Sequence, residues 1–169
     1  AGTHGKTTTT AMIGWLLTHG GVDPSVLVGG IVRNFGEQGS SYRLGLGRDF
    51  VIEGDEYDSA FFDKTAKFLK YLPDIAIVNN VEFDHADIYR DMAHYESAYD
   101  RFCATLPEDG FLAVAASYPN AVSIAQRASR AYVATYAAQG KADYTTDNLR
   151  FGPEGARFVV VEPRGRAGE

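Results

Sequence analysis

A glycine-rich turn that opens straight onto a helical pattern constrains this chain more than any other feature. Gly2-Thr3-His4-Gly5-Lys6-Thr7-Thr8 sets two glycines, one lysine and three threonines within seven residues. A turn of this kind belongs to a sheet-and-helix fold, where it links a buried strand to the N-terminus of a helix. Its backbone N–H groups, the N–H groups at the helix start, the lysine and a hydroxyl supply what a polyphosphate and its magnesium require. An ordinary helix start capped by threonine is the alternative, but it leaves the Gly-Lys-Thr order and the run Thr7 to Thr10 unexplained. The full phosphate-loop pattern has a glycine five residues before the Gly-Lys pair. That position would precede Ala1, as would the strand, so the chain is expected to be an excised or truncated piece.

Beyond the turn, strand and helix patterns alternate. Ala11, Met12, Trp15 and Leu16 recur at helical spacing between Lys6 and His19, and Gly20-Gly21 supplies a stop. Ser25 to Val32 reads as a buried strand, Arg33 to Arg48 as a loop, and Asp49 to Glu53 as a second strand ending on a carboxylate. Phe61 to Tyr71 reads as a helix, which places its aromatic residues in or beside the core. Asp74 to Asn79 reads as a strand and Tyr89 to Leu106 as a helix buried through Ala93, Tyr95, Ala98, Tyr99 and Phe102. Phe111 to Ala115 and Ala131 to Thr135 extend the series, with Pro119 placed to begin the helix between them. The alternation predicts an α/β fold: a three-layer, mostly parallel sheet with helices on both faces. This core spans residues 1–140; a small antiparallel hairpin follows at 141–162, turning at Gly152 to Gly155, and the tail at 163–169 is expected to fray.

With 169 residues and 45% apolar content, the chain can bury one sizeable core, and a single domain is expected. The formal charge of −6 argues against nucleic-acid or membrane-surface partners, both of which need a basic face. Cys103 is the only cysteine, so no internal disulfide can form; a reducing, cytoplasmic setting is expected.

In an open parallel sheet, ligands bind beyond the carboxyl ends of the strands. Three segments fall there: the phosphate loop, the run Glu53 to Asp58, and the run Asn79 to Asp87. Glu53 directly follows Val51-Ile52, so its carboxylate stands at a strand tip where Mg²⁺ beside phosphates could be held, the alternative being a solvated acid. Asp55, Glu56 and Asp58 either share that cation or face water. His85 lies between Asp84 and Asp87, as a metal ligand or as a structural histidine, and Asp87 could cap a helix. His4 is expected to contribute its backbone alone.

Together these segments resemble the central ATP-binding domain of the Mur ligases, which join amino acids or peptides to UDP-muramic acid precursors of the bacterial cell wall. Gly2 to Thr8 and the Glu-x-Asp-Glu spacing at Glu53 to Glu56 match the branch that charges UDP-N-acetylmuramate itself. Glu53 to Lys64, and Asn79 to Ile88, are similar to the recycling members of that branch, which attach a whole murein tripeptide. Members that attach L-alanine typically have Ser, Ala and Met where Tyr57, Phe83 and Ala86 stand.

The resemblance implies an ATP-dependent ligase of peptidoglycan recycling, joining L-Ala-γ-D-Glu-meso-diaminopimelate to UDP-N-acetylmuramate through an acyl phosphate. It implies that Gly2 to Thr8 bind ATP, that Lys6, Glu53 and His85 are catalytic, and that Thr7, Glu53 and His85 are magnesium ligands. It also implies flanking domains, one for the UDP group and one for the incoming amine, and an inactive fragment without them. Several family members carry a carbamylated lysine beyond the metal-binding His; no Lys occurs between Tyr71 and Gly140, so a different shell is implied for the second metal. The alternatives are an L-alanine ligase and a non-catalytic nucleotide-binding module; the Asn-Lys-x-Asp guanine motif of GTPases is absent.

Overall fold

A computed structural model describes residues 1–163, and the chain divides into two compact units, the first ending at Phe68 and the second starting at Leu69. The first unit opens with α1 (Lys6–His19), followed by β1 (Ser25–Val32), β2 (Ser40–Arg43) and β3 (Phe50–Ile52). These strands make a three-stranded sheet in the order β2-β1-β3, with β1 antiparallel to β2 and parallel to β3. α1 packs on β1 and β3, and Val26, Val28 and Phe35 form the core between them, with Ala11, Val32 and Val51 against it.

α1 has the expected bounds but not the expected buried face. Met12 and Leu16 are exposed, Trp15 is 39% exposed, and the buried positions are Thr10 and Gly14. Gly14 is the close-approach point: a Cβ there would lie 2.9 Å from both methyls of Val26. A residue without a side chain lets the helix backbone settle onto the sheet; of the four apolar residues at helical spacing Ala11 packs against that core, while Met12, Trp15 and Leu16 are left exposed.

Two further expectations are corrected. The segment 33–48 is not all loop, because Ser40–Arg43 pairs with β1. Nor is Phe61 to Tyr71 a helix: β4 (Asp58–Ala60) and β5 (Asp63–Ala66) form an antiparallel hairpin, followed by a short 3₁₀ turn, Lys67–Lys70. Asp63 accepts hydrogen bonds from the backbone N–H and hydroxyl of Thr65, a local closure that competes with helix formation. Phe61 and Phe62 therefore stand at the hairpin tip, 93% and 92% exposed, and only Phe68 of this group is in the core.

The second unit contains β6 (Ile75–Val78), α2 (Met92–Cys103), β7 (Phe111–Ala115), α3 (Pro119–Ala128) and β8 (Tyr132–Tyr136). Its sheet is parallel throughout, in the order β6-β7-β8. α2 packs on α3, and α3 on β7 and β8. α2 buries Tyr95, Ala98, Tyr99, Phe102 and Cys103, whereas Ala93 is exposed. Its N-cap is Asp91, whose carboxylate accepts from the His94 N–H at 2.8 Å, so Asp87 does not fill that role. The Arg127 guanidinium grips Asp100 through both oxygens, at 2.8 and 2.9 Å, and ties α3 to α2. β9 (Thr145–Gly152) and β10 (Gly155–Val161) form the expected antiparallel hairpin across Pro153-Glu154. The architecture is thus a mixed α/β fold, with a parallel sheet and antiparallel pairs. The fraying expected of the tail concerns residues that, from 164 onward, lie outside the described residues.

Candidate functional site

In the first unit the site grows from the turn that starts α1. Gly5 precedes the helix at φ 77°, a left-handed conformation that a residue without a Cβ adopts without strain. Its carbonyl accepts the first helical bond, from the Thr9 N–H at 2.9 Å. Gly2 and Thr3 are buried, while His4, Gly5, Thr7 and Thr8 are exposed. A buried base therefore carries an open rim of backbone N–H groups and hydroxyls at the positive end of the helix dipole.

Glu53 leaves β3 beside this rim. Its Oε1 accepts the Thr7 hydroxyl at 2.9 Å and its Oε2 accepts the Gly29 N–H at 2.8 Å. The carboxylate fits because Gly29 has no side chain: a Cβ there would lie 3.0 Å from Oε2. Neighbouring Gly30 leaves similar room for the Thr7 methyl, 3.1 Å from where its own Cβ would be. The sequence reading did not single out these two glycines, since a glycine pair inside a strand pattern marks close approach without saying to what.

Lys6 points the other way, under the loop. Its ammonium donates to the Gly2 carbonyl at 2.9 Å, the Thr3 carbonyl at 3.1 Å and Glu56 Oε1 at 2.9 Å. Glu56 is fully buried, and 15% of the Lys6 side chain is exposed. Stripping one partner from a buried ion pair costs about 3–5 kcal/mol, because the other charge is stranded. A neutral hydrogen bond to a carbonyl contributes only about 0.5–1.5 kcal/mol net.

Backbone bonds on either side of Glu56 fix it. Phe68 N–H donates to the Asp55 carbonyl at 3.0 Å and Lys67 N–H to the Tyr57 carbonyl at 2.9 Å. Asp55 is itself held by Lys67 at 2.7 Å, and Asp58 by Lys64 at 2.8 Å. The acidic run is therefore relieved largely by lysines, and of its members Glu53 alone reaches Thr7.

In the second unit, His85 is 16% exposed in its side chain and sits at φ 58°. Such a backbone is uncommon for a non-glycine residue, though histidine is enriched in it. Its N–H donates to Asp84 Oδ1 at 2.7 Å, and its carbonyl accepts from Ile88 and Tyr89. Asn79, at the end of β6, accepts from the Tyr136 hydroxyl at 2.9 Å. Burial raises the Tyr136 pKa above its usual value, with a smaller contribution from Tyr118. Asp87 is exposed.

Among the described residues, no three His, Cys, Asp or Glu side chains gather as a ready-made metal centre. Thr7 Oγ1 and Glu53 Oε1 are nevertheless two hard oxygen donors at a solvent-facing helix start. That chemistry suits Mg²⁺, which takes few protein ligands and completes its shell with water and phosphate oxygens. No helix among the described residues is long and apolar enough to cross a membrane.

The profile of the Mur ligase middle domain matches residues 1–169. The UDP-N-acetylmuramate–L-alanyl-γ-D-glutamyl-meso-2,6-diaminoheptandioate ligase of Haemophilus influenzae is 47% identical over 121 residues, 72% of this chain and 26% of that protein. The UDP-N-acetylmuramate–L-alanine ligase of Phenylobacterium zucineum is 38% identical over 164 residues, 96% of this chain and 32% of that protein. Among solved structures, the UDP-N-acetylmuramate:L-alanyl-γ-D-glutamyl-meso-diaminopimelate ligase of Neisseria meningitides superposes with a TM-score of 0.81 at 34% identity, covering 95% of this chain and 50% of that one. The chain thus spans about a quarter to a third of the length of these curated relatives.

Proposed function

The chain belongs to the Mur ligase family, whose middle domain it matches from end to end, and from that premise we propose that it is the nucleotide-binding portion of an ATP-dependent amide ligase. One observation carries this reading: the Thr7 hydroxyl lies on the Glu53 carboxylate at the open start of α1, with Lys6 one residue away. In a three-layer phosphate-loop core, the turn Gly2 to Thr8 would cradle the nucleotide phosphates, and Thr7 and Glu53 would hold Mg²⁺ beside them. His85 would serve a second magnesium. Residues 1–140 are the core of this central domain and 141–162 its appendage.

The reaction is carboxylate activation. The carboxylate of UDP-N-acetylmuramate attacks the γ-phosphorus of ATP and ADP leaves; an amine then displaces phosphate from the acyl phosphate and closes the amide. Two anions must meet, so the barrier falls through alignment and charge neutralisation. Bound magnesium would supply part of that neutralisation. Lys6 supplies the rest as a fixed cation, Glu53 acts as a ligand and not as a base, and the loop N–H groups orient the phosphates.

The incoming amine we assign to the murein tripeptide L-Ala-γ-D-Glu-meso-diaminopimelate, in the cytoplasm, where nucleotide-activated precursors and ATP coexist. Tyr57, Phe83 and Ala86 support this over L-alanine, as does the higher identity to the tripeptide ligases. The L-alanine reading keeps one observation in its favour: relatives of that kind align along nearly the whole chain. ADP release by the full-length ligase, with UDP-N-acetylmuramate and either L-alanine or tripeptide, separates the two. Release stimulated by L-alanine alone would overturn the tripeptide assignment. No ADP release with either amine would leave only a nucleotide-binding module.

A further inference from the structure

We infer that Glu56 is a positioning residue for Lys6: its buried carboxylate fixes the ammonium under the phosphate loop, and it keeps that hold when a nucleotide binds. The role of Lys6 toward phosphate rests on the reading above; the hold of Glu56 on Lys6 does not.

An ammonium has three N–H donors and no more. In this structure all three are engaged, by Gly2, Thr3 and Glu56. A phosphate oxygen can be met only if one of those partners is released. The two carbonyls are neutral, whereas Glu56 is a fully buried carboxylate that would be stranded beside an incoming polyanion. The larger cost attaches to losing Glu56, so a loop carbonyl gives way and the ion pair stays.

The carboxylate is built to stay put, because the carbonyls of Asp55 and Tyr57 on either side of it are bonded to Phe68 and Lys67. A lysine on a flexible four-carbon stem is thereby given one location instead of many, and that pre-organisation is what a transition-state cation needs. Glu56 touches neither nucleotide nor reacting atoms in this scheme; it acts through Lys6.

The test uses this chain with Lys6→Met, Glu56→Gln and the double variant. Thermal melting should show each single variant lowered by roughly 5–10 °C, and the double variant lowered by clearly less than the two drops combined. Drops that simply add would overturn the proposal. Should Glu56→Gln alone fail to fold, the double variant decides: a cooperative transition supports the pairing, and its absence overturns it.

A second readout follows the position of the ammonium. In ¹⁵N NMR of lysine side chains, the Lys6 NH₃⁺ signal, identified by its loss in Lys6→Met, should be visible in the parent chain and vanish in Glu56→Gln while the backbone amide spectrum persists. A Lys6 signal that survives in Glu56→Gln overturns the proposal. Addition of Mg·ADP should shift the parent signal without erasing it; erasure would mean that nucleotide breaks the pair and would overturn the claim that it is kept. A signal that Mg·ADP leaves unmoved, with melting still coupled, counts against the nucleotide reading and supports a hold independent of it.

Discussion

Glu53 illustrates how one side chain is placed by three unrelated decisions: a strand that ends just before it, a hydroxyl in the first turn of α1, and a missing Cβ at Gly29. Gly29→Val should push the carboxylate off Thr7. If the pair holds magnesium, the Mg²⁺-dependent part of ATP affinity would fall by about tenfold, as titration calorimetry with and without Mg²⁺ would measure; a tenfold change corresponds to about 1.4 kcal/mol. Lys6→Ala in the full-length ligase should remove most turnover, about a hundredfold or more, because the transition state loses a fixed cation; near-normal kcat would reject that role. The placement of Lys6 and Thr7 at a helix start and of Glu53 at a strand tip was legible from the sequence, because a glycine-rich turn and a strand end have fixed local meanings. Glu56 and Gly29 were not. Nothing local distinguishes the fully buried acid of Glu53 to Asp58 from its half-buried neighbours, and a glycine's tertiary neighbour cannot be read from its flanks.

At the level of elements, helices and strands with clean termini were readable: α1, β1 and β7 fall where composition and stop signals put them. The failures came where aromatic spacing imitated a helix, as at Phe61 to Tyr71, and where a carboxylate four residues further on took the cap. Gly14→Ala tests the α1 contact. Alanine favours a helix interior by about 1 kcal/mol over glycine. The added methyl, however, would meet Val26 at 2.9 Å and Phe35 at 3.2 Å, both core residues with little room to move. Strain should win, with a net loss of roughly 1–2 kcal/mol in urea unfolding.

Asp91→Ala should also lower the melting temperature, through loss of the α2 cap. The His94 N–H, and then Arg90, hold the Asp91 carboxyl below its usual pKa of 3.8. Its contribution is therefore fully present above about that pH and lost as pH falls through the lower folded value. The variant and parent melting curves should accordingly converge in acid, and a constant offset down to low pH would contradict the cap.

Across the molecule as a whole, the described residues form two three-stranded sheets and two two-stranded hairpins, and the family relationship assigns the chain to about a quarter to a third of its curated relatives' length. Weak binding of Mg·ATP at best, without ligation of UDP-N-acetylmuramate, is the expected outcome when this chain is assayed alone. Formation of the amide by the chain alone would contradict that. The alternation of strands and helices conveyed the α/β class, but not the antiparallel pairing of β2 with β1, because pairing partners are set by distant residues. Burial, and secondarily Asp100, push the Cys103 thiol up to about 12. Native protein at pH 8 should thus resist thiol reagents, and denaturation should speed labelling by at least a hundredfold. The same shift makes the fold lose stability as pH rises from 9 toward 12, since only the unfolded thiol ionises in that window. The chain's single cysteine lies in the second unit and its single tryptophan, Trp15, in the first. Indole emission and thiol trapping, followed along one urea series, would therefore time the melting of each half separately, with reporters that evolution has already installed.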